Sequence, residues 1–379
     1  MIRILTSVEI TKDNPEYLRF KYNDNSYQEY LITNDAPEAC TTHMGDLDNT
    51  CIGALDKGER KICKDDCVYY LIEDDMQISN RCNNHCHGNF KYCIFLINAN
   101  FHGKFFPCAT FCGAIFNNGV SFLDSQFDTP NNYKVSFDRA QFTKSAGFVN
   151  VEFNKKTSFK HAAFNKDVDF NGTKFSDEVS FVGTVFNDIV DFTSAIFNNV
   201  LNFSGVKNID IDLKHAIIDR IEYGNVEFKS DNRETFLTLK NAALKQHDQI
   251  KALEFHTQEY QTHFKNLEWT KEDRGNKFIL GFEYLVSVFG TSIGRALIVF
   301  LILIISSYFL LFTLVGYGDL TVQGFVHFSS PVNYNLTTIF GSNITIGFFA
   351  GFVFIAYKIL QFVMIYEVVK SFRKFSRTL

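Results

Sequence analysis

Two cysteine pairs stand near the start of the chain. They are Cys63-x3-Cys67 and Cys82-x3-Cys86, the second followed at once by His87, with fourteen residues between the pairs. Four thiolates, or three and an imidazole, suit a structural zinc ion. The spacing within each pair is one residue longer than the common one, so free reduced thiols are the alternative. Cys93 fits the small-residue slot before Phe95 and reads as core. His256, Glu259 and His263 share one face of an expected helix; a metal would fit them, and a solvated face is the simpler reading. Lys358 and Gln361, three apart in an otherwise apolar stretch, also share a face. An ionisable group there is costly against lipid and marks a functional position by default, lining a pore or pairing between helices. Its alternative is snorkelling toward the boundary at Glu367. There is no nucleophile elbow, phosphate loop or dinucleotide fingerprint, so enzymatic activity is not expected.

The elements around Lys358 are two candidate spans. Residues 296–313 carry no charge and residues 344–366 only Lys358, each near the roughly 20 residues that cross a bilayer. Arg295 and earlier basic residues precede the first; Lys370, Arg373, Lys374 and Arg377 follow the second. That asymmetry predicts both termini in the cytoplasm of a multi-pass membrane protein. The N-terminus reads as no signal peptide, so the nine cysteines should be reduced. At the exit of the first span, Val315-Gly316-Tyr317-Gly318-Asp319 resembles the potassium-channel selectivity filter. The resemblance implies backbone carbonyls that replace an ion's hydration shell. The family sets a pore helix before its filter, and here no residues remain for one; two glycines also simply end a helix. Residues 331–342, apolar and rich in hydroxyls, read as a folded external loop or a re-entrant element. Gly347, Ala350 and Gly351 would let another helix approach closely.

Between residues 137 and 203, phenylalanine recurs at alternating steps of five and six, with a small or β-branched residue two positions before each. One repeat of this length cannot bury its own apolar pair, so the pattern demands a solenoid. Ala99-Asn100-Phe101, Ala109-Thr110-Phe111, Ala114-Ile115-Phe116 and Ala162-Ala163-Phe164 resemble the pentapeptide-repeat family. The resemblance implies a right-handed quadrilateral β-helix. With the sixth residue on alternate sides, a coil takes about 22 residues. A looped corner is expected at 129–133 and an irregular final coil at 209–228. The phenylalanines are core; any recognition belongs to the outward polar residues. Some relatives mimic DNA with an acidic rod. Residues 101–203 instead hold ten Asp and Glu against nine Lys and Arg, and the whole chain carries only −5, so nucleic-acid partners are not expected.

The predicted order is therefore a Cys-containing cap or sensor (1–88), the β-helix (89–229) and a cytoplasmic helical connector (230–277). An interfacial helix follows (278–293), then a transmembrane helix (294–316), an extracytoplasmic loop (317–343), a second transmembrane helix (344–367) and a basic tail (368–379). Ser230 or Asp231 is the expected N-cap of the connector, with a break at Gln246-His247-Asp248. From about residue 90 on, the chain resembles bacterial membrane proteins that join pentapeptide repeats to a two-helix, channel-like C-terminus. The expectation is an oligomeric pore whose cytoplasmic β-helix senses a signal or an unknown protein trigger, compatible with cell or antiviral defence. The partners would be the lipid bilayer and further copies of the chain. The alternative is a non-conducting, membrane-tethered scaffold that binds a cytoplasmic protein.

Overall fold

The computed structural model describes residues 5–13, 15–33, 60–64, 67–74, 88–107, 109–128, 134–270, 273–315, 320–342, 344 and 347–376. It divides into two compact units, Met1–Asp248 and Gln249–Leu379.

The first unit is a β-solenoid of about six coils. Two-residue strands pair in parallel with the strand four places on: Ile115–Phe116 with Gln141–Phe142, then Ala163–Phe164, then Val185–Phe186. Each coil therefore has four strands. Alternation within a strand sends one side chain in and the next out, and every phenylalanine from Phe137 to Phe203 is buried. The rings form four columns. Phe111, Phe137, Phe159 and Phe181 make one, with centroids 4.8, 4.8 and 5.0 Å apart and planes within 10°. Adjacent columns meet edge-on, as Phe137 and Phe148 do at 5.6 Å and 89°. The residues two before each phenylalanine are buried too; the Thr173 and Thr184 hydroxyls donate to the Phe148 and Phe159 carbonyls of the preceding coil at 2.5 and 2.6 Å, and the Thr157 hydroxyl to the Lys155 carbonyl at 3.0 Å.

The alternation of five and six has a backbone cause. After Phe137, Phe148, Phe159 and Phe170, the residue two positions on (Arg139, Asn150, His161, Gly172) has positive φ, and the turn closes with an N–H such as that of Ala140 donating to the Phe137 carbonyl. These left-handed corners take the five-residue step. The other corners lack a positive φ and spend a sixth residue. Residues 129–133, where a looped corner was expected, lie outside the described residues, yet the Phe111 and Phe116 columns run unbroken to Phe137 and Phe142.

A strand meander covers one outer face of the stack, and the two ends are closed separately. Strand β1 (Leu5–Ile10) pairs antiparallel with β2 (Tyr17–Tyr22), and β2 with β3 (Tyr27–Leu31). This meander packs Leu5, Val8, Leu18 and Phe20 against Tyr69, Leu71, Ile94 and Ile115. A hairpin of β4 (Lys61–Lys64) and β5 (Cys67–Ile72) extends one column, because β5 pairs in parallel with Cys93–Phe95. At the other end lies helix α1 (Arg233–Lys245), capped by Asn232, one residue beyond the expected cap. Its Thr235 hydroxyl accepts from the Leu213 N–H, and Gln246 just past it bonds both backbone groups of Ile221. Side chains from the helix thus complete the open ladder of the last coil.

The second unit is helical: α2 (Gln249–Asn266), α3 (Arg274–Ser287), α4 (Ile293–Leu314), α5 (Val322–Ser329), α6 (Leu336–Phe340) and α7 (Phe348–Ser376). The expected break at residues 246–248 falls between α1 and α2. Positive φ at Val288, Phe289 and Gly290 separates α3 from α4, so α3 is a helix of its own rather than the first turn of α4. Phe278, Ile279 and Leu285 of α3 are exposed. The start of α4 (Ala296) meets Met364 of α7, whereas its end (Tyr308, Leu311) meets Ala350 and Phe354. The two long helices are therefore antiparallel. They are, among the described residues, the two helices long and apolar enough to cross a membrane. Most of their large apolar side chains face outward, including Ile298, Leu301, Phe309, Phe349 and Ile359.

Candidate functional site

Between the ends of the antiparallel pair, α5 and α6 pack back against both helices. Thr321 caps α5 by accepting from the Gly324 N–H, and Asn335 caps α6 by accepting from the Thr337 N–H. The Tyr308 hydroxyl of α4 donates to the Thr321 carbonyl at 3.2 Å, and its ring stacks on Phe340 at 5.2 Å. Phe328 stacks on Tyr357 of α7 at 4.5 Å and 8°. Phe328, Ile339 and Phe340 join Tyr308, Leu311 and Phe354 in one buried cluster. Residues 322–340 are thus an integral layer of this unit.

The end of α5 leaves carbonyl groups without helical partners, and α7 supplies donors to three consecutive ones. Lys358 Nζ donates to the Phe328 carbonyl at 2.9 Å, to the Ser330 carbonyl at 2.7 Å and to Gln361 Oε1 at 3.3 Å. Gln361 Nε2 donates to the Ser329 carbonyl at 2.6 Å. An ammonium has three N–H groups, and each has an oxygen. The faces of Phe328, Phe354 and Tyr357 lie 5.4, 5.4 and 5.6 Å from the same nitrogen. Lys358 is 1% exposed and Gln361 is fully buried. The ammonium is therefore enclosed by protein. It stands about 15 Å along α7, on the partial negative end of α5. This polar knot joins a charged group, a short helix and the middle of a candidate span.

A second set of polar contacts lies toward the other end of α7. Lys370 pairs with Glu283 of α3 at 2.8 Å and with Glu367 at 3.5 Å. Ser287 donates to Glu367 at 3.0 Å and accepts from the Gly290 N–H at 2.8 Å.

Of the other predicted positions, Gly316, Tyr317, Gly318 and Asp319 lie outside the described residues, as do Cys82, Cys86 and His87. Cys63 and Cys67 fall in β4 and β5, near opposite sides of the hairpin turn. Cys93 is buried in the core. Among the described residues no cluster of three His, Cys, Asp or Glu side chains could hold a metal. His256 and Glu259 approach to 3.9 Å without a third such group. The carbonyls of residues 328–330 escaped sequence reasoning, because backbone groups carry no sequence signature. The available signal was Thr321, a capping residue ahead of Phe325 and Phe328 at helical spacing.

On the solenoid, one outward column is acidic: Asp169, Asp191 and Asp212 pair in register. Burial pushes the Asp169 carboxyl up, and the charge of Asp191 adds to the rise, while the Asn171 N–H opposes it. A shallow, open depression of about 520 Å³ beside it is floored by small groups at Gly119, Ser121 and Gly147 and edged by Asp167 and Asp169.

No curated protein and no solved structure matches the chain. Residues 137–185 match the family model described as pentapeptide repeats (9 copies). The stacked five- and six-residue steps that fill those residues therefore make this part of the chain a pentapeptide-repeat solenoid.

Proposed function

We propose that the chain is a membrane-anchored pentapeptide-repeat protein whose helical unit assembles with further copies into a pore. The solenoid, wound right-handed as parallel crossovers favour and four-sided, is its cytoplasmic body and receives a signal or protein trigger. The observation that carries this reading is the Lys358 knot. A plain anchor needs only two apolar helices. This unit instead holds an ammonium and non-helical backbone beside the middle of a candidate span, an arrangement tolerated at membrane depth only inside protein or against a water-filled cavity. Two helices enclose no aqueous path, so the pore is a homo-oligomer. In this reading α3 lies at the interface, and the inner membrane of a bacterium, with both termini cytoplasmic, is the location. Cell defence by depolarisation is a role such an effector could serve.

The open depression and acidic column of the solenoid favour the second reading, a non-conducting scaffold that holds a cytoplasmic protein. Purified protein reconstituted into liposomes separates the two. Ion flux that disappears on deletion of residues 294–366 supports the pore. A detergent-solubilised monomer with no flux overturns it.

A further inference from the structure

We infer that the Phe328 and Ser330 carbonyls, Gln361 Oε1 and the rings of Phe328, Phe354 and Tyr357 form a monovalent-cation site that Lys358 keeps plugged with its own ammonium. Three oxygens at 2.7–3.3 Å and three ring faces at 5.4–5.6 Å surround one nitrogen. This is the coordination an ammonium or potassium ion seeks when it sheds water: neutral oxygen dipoles, aromatic faces and a helix C-terminus. None of these groups is a carboxylate, and among the described residues no Asp or Glu bonds Lys358. The charge balanced here is a single positive one, held by dipoles. A divalent ion would find no countercharge, and an anion would meet the negative end of α5. The nitrogen is carried on the side chain of α7's own Lys358, so the ammonium is a tethered ligand for the cage.

Two consequences follow. The wild-type cage is filled and takes no ion from solution. A side chain that keeps the stem and loses the nitrogen leaves the Phe328 carbonyl and Gln361 Oε1 without this donor and the Ser330 carbonyl with the Asn333 N–H at 3.4 Å, a cost that a cation from solution relieves. In the pore reading, on which this further step rests, a cation can use the cage only after Lys358 withdraws, so the contact of α7 with the end of α5 holds the resting state closed.

The test uses full-length protein with Lys358→Met, whose side chain matches lysine up to the terminal nitrogen. Thermal unfolding is followed in detergent with ammonium chloride, potassium chloride or N-methyl-D-glucamine chloride at equal ionic strength. The variant should unfold below wild type in N-methyl-D-glucamine and gain about 2–4 °C in ammonium or potassium, while wild type gains nothing. A folded variant with one midpoint in all three salts overturns the site. Should Lys358→Met fail to fold, Lys358→Ala is prepared with n-propylammonium, which restores the missing stem and head together, or with tetramethylammonium, which has no N–H. Stabilisation by n-propylammonium alone supports the site, and equal behaviour in the two overturns it. Rubidium flux into liposomes is the separate arm. Flux through Lys358→Met above wild type supports the plug in a pore. Silence of both proteins beside a cation-dependent midpoint keeps the site and overturns the pore.

Discussion

Gly324 sits so close beneath the Ile339 carbonyl that a Cβ there would stand 2.2 Å from its oxygen, 3.0 Å from Thr321 Oγ1 and 3.1 Å from the Tyr308 hydroxyl. Helices α5 and α6 can therefore touch backbone to backbone only because position 324 has no side chain. Gly324→Ala must push a backbone carbonyl away and disturb the Thr321 cap at once. Overpacking of this kind costs about 1–3 kcal/mol, and we expect a correspondingly lower unfolding midpoint in detergent. Gly351, within α7, meets nothing within 4 Å. Gly351→Ala in the isolated chain should be neutral or gain up to about 1 kcal/mol from helix propensity.

Adjacent phenylalanines in the solenoid have opposite environments, which gives a controlled comparison. Phe105 is 60% exposed and Phe106 is 2% exposed. Phe106 stacks on Phe127 at 4.6 Å and meets Phe101 and Phe111 edge-on. Phe106→Ala should cost about 3–5 kcal/mol and Phe105→Ala less than about 0.5 kcal/mol. Denaturant unfolding followed by circular dichroism measures both. Similar costs for the two would contradict the inward and outward assignment.

The period of phenylalanine shows why one half of the molecule was readable and the other only in outline. A ladder in which Phe142, Phe164 and Phe186 repeat one environment writes its geometry into the sequence many times over. The two long apolar helices were equally legible, because exclusion of charge over a helix length needs no knowledge of neighbours. Lys358 was legible as a polar residue out of place but not as the partner of Phe328 and Ser330. Those contacts are carbonyls thirty and twenty-eight residues away, and any residue type supplies a carbonyl. The cap of α1 shifted by one residue because Ser230, Asp231 and Asn232 are all competent caps; Asn232 is selected by its own bonds to Asp212 of the last coil.

The in-register Asp169–Asp191 pair makes a pH prediction. Burial, then the neighbouring charge, raises the Asp169 carboxyl above its ordinary value. A carboxyl with a raised folded-state pKa holds its proton more tightly folded than unfolded. It therefore weakens the fold when ionised, and the penalty fades as pH falls through that raised value and is gone below the unfolded pKa, about 4. Asp191→Asn removes the like charge and should raise the midpoint slightly at pH 7, by under about 1 kcal/mol because the site is partly solvated. The gain should shrink toward zero near pH 3. A gain that persists unchanged at pH 3 would assign it to packing instead.

Glu283, Glu367 and Lys370 join α3 to α7, and among the described residues the lysine is the one cation bonded to both carboxylates. Glu367 is nearly buried, at 4% exposed, and Ser287 donates to its other oxygen. Lys370→Met leaves two carboxylates facing each other without their cation, and removing one partner of a buried pair costs more than the pair itself contributes. With Lys370 partly open to solvent, we expect a loss of about 1–3 kcal/mol. Glu283→Gln added to Lys370→Met should return part of it, because the repulsion then disappears while Ser287 still holds Glu367. The readout is a double-mutant cycle on the detergent unfolding midpoint. Protease cleavage in the 288–292 turn should rise in Lys370→Met and fall back in the double variant if these contacts fix α3 against α7. Strict additivity of the two substitutions would mean that the lysine acts on each carboxylate independently.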